Sequence, residues 1–144
     1  MMRLTVLLLA GLALPLFAAE IDWPIALQKV AAGDAGWLER TPALAKIADV
    51  KQAQELEDAL ATALSNNPTA ALQTLRRIDA GKWPHMIGSD IVCSPPTEKT
   101  PAEVEVFYQR TRHALLTTND GAQCLWILEA SWEELNADKI RKTQ

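Results

Sequence analysis

The stretch DVKQAQELEDALATALSNNP, residues 49–68, decides the fold class. Asp49 carries a side-chain acceptor for the open amides of a first helical turn, and Gln52 three positions later completes a capping-box pattern. Ala53, Leu56, Leu60, Ala63 and Leu64 then recur at spacings of three and four, which puts them on one face of an α-helix. Ser65-Asn66-Asn67 ends that helix. Asn67-Pro68 starts the next one, with a cap followed by proline at the first helical position, where a missing amide costs nothing.

The same grammar repeats outward from this stretch. Asp22 with Pro24 opens a helix carrying Ile25, Leu27, Val30 and Ala31 inward, and Gly33 stops it. Asp34 caps a short turn with Trp37 and Leu38. Thr41-Pro42 predicts a further cap-proline start, with Leu44, Ile47 and Ala48 inside. Beyond Pro68, Ala71, Leu72, Leu75 and Ile78 face inward and Gly81 closes the helix. Thr100, Pro101 and Glu103 repeat the start signature, followed by the stripe Val104, Phe107, Tyr108, Thr111 and Leu115. Asp120 is expected to open a last helix with Cys124, Leu125, Leu128, Trp132 and Leu135. Its run Leu125-Trp126-Ile127-Leu128 is apolar on all sides, which predicts a central, buried helix.

No alternating strand pair joined by a hairpin turn occurs. Short turns between helices favour antiparallel neighbours, and no strict repeat period is visible. The expected fold is therefore all-α, an irregular array of five to six short antiparallel helices with one long loop pinned by a disulfide.

Composition agrees with a globular chain: 49% hydrophobic and 22% charged residues, with a formal net charge of -4. No basic field points to nucleic acid. The first residues read differently. Arg3 precedes an uncharged apolar run over 4–17, and Ala18-Ala19 supplies the small side chains a signal peptidase accepts. Residues 1–19 are expected to be a secretory signal peptide and 20–144 a single all-helical domain, periplasmic and free of the membrane once the leader is removed. With no cysteine near the cut, no lipid anchor is expected. Cys93 and Cys124 are the two cysteines, an even number suited to one bridge in an oxidising compartment. Closing a loop of about thirty residues is worth roughly 3–4 kcal/mol on the loop-entropy model.

The connector over 82–100 is the exception to the helical pattern. It contains Pro84, Pro95 and Pro96 and has no helical stripe. Long irregular connections in small domains usually have a task. A loop stiffened by proline and pinned by Cys93 loses less entropy on binding than a free one. Trp83, His85, Met86, Asp90 and Glu98 offer apolar anchors beside polar groups, so these five are the candidate partner-binding residues.

Signals for chemistry are few. His85 and His113 lie in different elements, and no further ligand follows either at metal spacing. His85-Met86 joins imidazole to thioether, ligands copper accepts, but one adjacent pair makes no site. No metal or cofactor is expected. Glu55, Glu57 and Asp58, like Glu133 and Glu134, sit on helical faces that turn to water. Ser94 has no nucleophile-elbow context. Five tryptophans, Trp23, Trp37, Trp83, Trp126 and Trp132, are expected mainly in the core, where they bury large area in a small domain.

In size, leader and cysteine count the chain is similar to small exported helical proteins such as immunity proteins against cell-wall enzymes, enzyme inhibitors and envelope chaperones. No motif is shared residue by residue, so the similarity carries no site. The expected function is a non-enzymatic, inhibitor- or immunity-like domain that binds another envelope or secreted protein. The alternative is a small periplasmic hydrolase or ligand-binding domain whose site is assembled from separate helices, with His85, Asp90 and His113 as candidates.

Overall fold

The computed structural model describes residues 20–85 and 88–144. The leader expected over 1–19, and with it Met86, lie outside the described residues. The described residues form seven helices: α1 (Trp23–Ala31), α2 (Ala35–Ile47), α3 (Val50–Asn66), α4 (Pro68–Ala80), α5 (Ser89–Val92), α6 (Pro101–Leu116) and α7 (Ala122–Lys142). Among the described residues there is no strand, so the all-α class stands. The expected five to six helices become seven among the described residues, with one turn, α5, formed inside the connector.

Most helix starts are written in the local sequence. Asp22 accepts from the amide of Ile25 at 3.2 Å, and Asp34 from that of Trp37 at 3.0 Å. Asp49 and Gln52 form the full capping box, as do Thr100 and Glu103. Each such cap is worth about 1 kcal/mol.

The first four helices make two stacked hairpins. α1 packs on α3 and α2 on α4, and the two turn tips are tied together. The side-chain amide of Asn66 donates to the carbonyl of Ala31 at 2.7 Å, and that of Asn67 to the carbonyl of Gly33 at 2.9 Å. Gly33 has φ +82, and a Cβ there would lie 2.8 Å from the Cβ of Asn67, so this junction requires glycine.

α3 is the central element, since α1, α4, α5 and α6 all pack on it. Leu56, Leu60 and Leu64 are fully buried along it, each contributing roughly 1.5–3 kcal/mol by burial. The expectation of a central last helix is thereby corrected. α7 packs chiefly on α6, only Cys124 and Leu128 of it are buried, and Trp126 is 73% exposed. An apolar run does not bury itself when one side has no neighbour to receive it. The start of α7 also differs. Gly121 takes the cap position without a side-chain bond, because Asp120 is engaged instead with Arg76 at 2.9 Å.

A second correction concerns α2. Thr41-Pro42 does not open a helix; one continuous α2 runs through it with Pro42 inside. Proline removes the amide that would pair with the carbonyl four residues back, here Leu38. That carbonyl accepts instead from the buried hydroxyl of Thr74 on α4, at 2.8 Å. Thr41 turns its hydroxyl onto the carbonyl of Trp37 at 2.9 Å. Ile25 and Ile47, expected inside, are 48% and 60% exposed, the inward faces being taken by Ala26 and Val30 on α1 and by Leu38, Leu44 and Ala45 on α2.

The connector is clamped at both ends. The indole of Trp83 donates to the carbonyl of Ile78 at 2.8 Å. The carboxylate of Asp79 accepts from the backbone amide of Ser89 at 2.9 Å and from its hydroxyl, acting as a remote cap for α5. Cys93 and Cys124 are joined, with Cα atoms 5.4 Å apart and a sequence separation of 31. Both are buried. Among the described residues no helix is long and apolar enough to cross a membrane.

Candidate functional site

A groove of about 400 Å³ lies between α3 and α6, walled at one end by the connector. Its apolar lining comes from Ala61 on α3 and from Val106 and Phe107 on α6. Ala61 and Phe107 pack against the core from partly buried positions, whereas Val106 is 55% exposed. Pro96 and Lys99 supply the connector wall. Since Cys93 lies three positions before Pro96, the disulfide fixes where that wall stands.

Charged groups rim the groove. Asp58, Lys99 and Glu103 lie toward the start of α6, and Arg110 lies two turns further along that helix, about 10 Å away. Partial desolvation against the groove wall raises the Asp58 carboxyl above its ordinary value. The like charge of Glu98 adds to that shift, Lys99 opposes it and Glu55 adds a little more. Glu103 moves the other way. Hydrogen bonds from the backbone and hydroxyl of Thr100 to its carboxylate hold it below the usual range.

The connector residues singled out from sequence are dispersed. Glu98 does not line the groove, though its charge adds to the upward shift of Asp58. Trp83 is partly buried against the body, with Lys46 5.4 Å over its ring. His85 and Asp90 are exposed, and neither lines the groove. Met86 lies outside the described residues. His113 is exposed on α6, in a different element from His85. Among the described residues no three His, Cys, Asp or Glu side chains are grouped to hold a metal ion. Ser94 is used structurally, donating to the carbonyl of Asp90 at 2.8 Å and lying 3.0 Å from the hydroxyl of Ser131.

Sequence reasoning missed Asp58, Lys99, Val106 and Arg110. One signal was present: Val106 is an apolar residue outside the buried stripe of its own helix. A valine set on the water-facing side of an otherwise amphipathic helix is a pointer to a surface that receives something.

A second polar assembly fastens α7 to α6. The hydroxyl of Tyr108 donates to Glu129 at 2.8 Å, and Arg112 pairs with the other oxygen of that carboxylate at 2.8 Å. Burial, with Glu129 beside it, raises the Tyr108 hydroxyl above its ordinary value. The ring of Tyr108 stacks on Trp132 with centroids 4.2 Å apart and planes 6° from parallel. With its ring face covered and its hydroxyl paired, this cluster joins two helices and offers no open catalytic atom.

No family profile, no curated protein and no solved structure matches the chain.

Proposed function

We propose that the chain is an exported, periplasmic helical domain that binds another envelope or secreted protein through the α3–α6 groove, in an inhibitor- or immunity-like role without catalysis of its own. One observation carries the reading: an apolar lining of Ala61, Val106 and Phe107 lies between charged rims, on walls held by a helix pair and a disulfide-fixed connector. Binding surfaces commonly combine an apolar centre with a polar rim, and a wall fixed in advance reduces the entropy lost on association. The disulfide also supports export, because such bonds persist in oxidising compartments.

The test is capture from a periplasmic extract of the producing cell by the immobilised oxidised domain. Val106→Glu, a change at an exposed position, is expected to lose the protein that the wild type retains, while His85→Ala keeps it. Capture of the same protein in the same amount by Val106→Glu removes the groove from the account.

A further inference from the structure

The two ends of the groove differ in charge. At the connector end the lining carries Asp58 and Glu103 beside Lys99. The carboxylate of Glu103 is already occupied by the amide and hydroxyl of Thr100, at 3.0 Å and 2.9 Å. Glu55, one turn before Asp58, is paired with Lys51 at 3.4 Å. Asp58 is thus the lining carboxylate left without an ion pair among the described residues. At the far end Arg110 makes no ion pair among the described residues.

We propose that the groove receives an extended protein segment that sets a lysine or arginine on Asp58, lays its next side chains on Ala61, Val106 and Phe107, and brings an acidic residue to Arg110. The inference rests on the groove being a protein-binding site and adds the chemistry of its occupant. The two turns of α6 from Glu103 to Arg110, about 10 Å, match three to four residues of extended chain at roughly 3.3 Å each. The open groove of about 400 Å³ suits a few side chains rather than a whole helix face. Partial desolvation first, and the like charge of Glu98 second, raise the Asp58 carboxyl, and a cationic side chain set against it offsets both. Opposite charges at the two ends also set the direction in which the segment lies, since a reversed segment meets like charge at both.

A displayed library of random dodecapeptides selected on the oxidised domain tests this. Recovered sequences are expected to carry Lys or Arg three to four positions from Asp or Glu, with apolar residues between. A synthetic peptide of the leading sequence should bind Asp58→Lys about tenfold more weakly than wild type, and its Lys→Glu form should prefer Asp58→Lys. That reversal shows that the variant is folded and reads charge directly. Peptides without a basic residue, or with equal affinity for Asp58→Lys, overturn the inference. If such peptides still lose binding to Val106→Glu, the groove reading survives. If none is recovered, or all ignore both substitutions, both readings fall.

Discussion

The hydroxyl of Thr74 on α4 donates to the carbonyl of Leu38 on α2 at 2.8 Å, and that carbonyl is the one Pro42 leaves without its helical amide. A defect in one helix is thus met by a side chain from its packing neighbour. Thr41 and Thr74, which answer the carbonyls of Trp37 and Leu38, are both buried polar residues, as is Thr111 on α6.

Thr74→Val keeps the shape and removes the donor. Leaving a buried carbonyl unpaired costs about 1–3 kcal/mol, read as a shift of the urea unfolding midpoint. In a Pro42→Ala background the restored amide serves Leu38, so the same substitution should cost at least about 1 kcal/mol less. Equal costs in the two backgrounds would refute the coupling.

Removing the disulfide by Cys93→Ala with Cys124→Ala should cost about 3–4 kcal/mol in the same assay. Amide exchange should accelerate first in α5 and at the start of α7, the two segments the bond joins. A loss below about 1 kcal/mol would mean that packing alone holds the connector.

Two tryptophans on α7 should behave oppositely. Trp126 is exposed, so Trp126→Ala is expected to change stability by no more than about 0.5 kcal/mol. Trp132 stacks on Tyr108 and lies 5.7 Å beneath the Lys139 ammonium, so Trp132→Ala should cost about 2–4 kcal/mol. Acrylamide quenching of single-tryptophan variants gives an independent check, with Trp126 the more accessible.

Asp58 and Glu103 should tilt stability in opposite directions across the carboxylate range. The Asp58 value is raised on folding, so the native state holds its proton longer and this group's contribution falls as pH rises from the ordinary value to the raised one. Asp58→Asn should therefore stabilise modestly at neutral pH, by about 0.5 kcal/mol or less once solvent screening is counted, and the gain should vanish in acid. The Glu103 value is lowered, so its contribution is complete above the ordinary value and is lost as pH falls through the lowered one. Unfolding midpoints of Asp58→Asn and Glu103→Ala against pH separate the two slopes; parallel profiles would contradict both.

What was legible in the sequence was local. Caps at Asp22, Asp49, Asn67 and Thr100 and the stripe from Ala53 to Leu64 need no distant information, and these helices form as read. Pro42 was opaque because Thr-Pro looks the same at a helix start and inside a helix, and the donor that decides the matter, Thr74, lies 36 positions from the Leu38 carbonyl it serves. The exposure of Trp126 was opaque for a related reason: a tetrad of apolar residues says what prefers burial, not which neighbour is there to cover it. In the candidate site, Pro96 was visible as part of a stiff connector. Asp58 was read as a solvated helix face, since only the approach of α6 and the connector turns that face into a wall.

The paired amides of Asn66 and Asn67 carry a consequence for how this chain tolerates insertions and deletions. They reach the carbonyls of Ala31 and Gly33 only at one rotation about the α3 axis. One residue added between Val50 and Asn66 turns them by about 100° and carries them out of reach. The length of α3 is therefore quantised, and variants that lengthen it must also rebuild the turn that answers it.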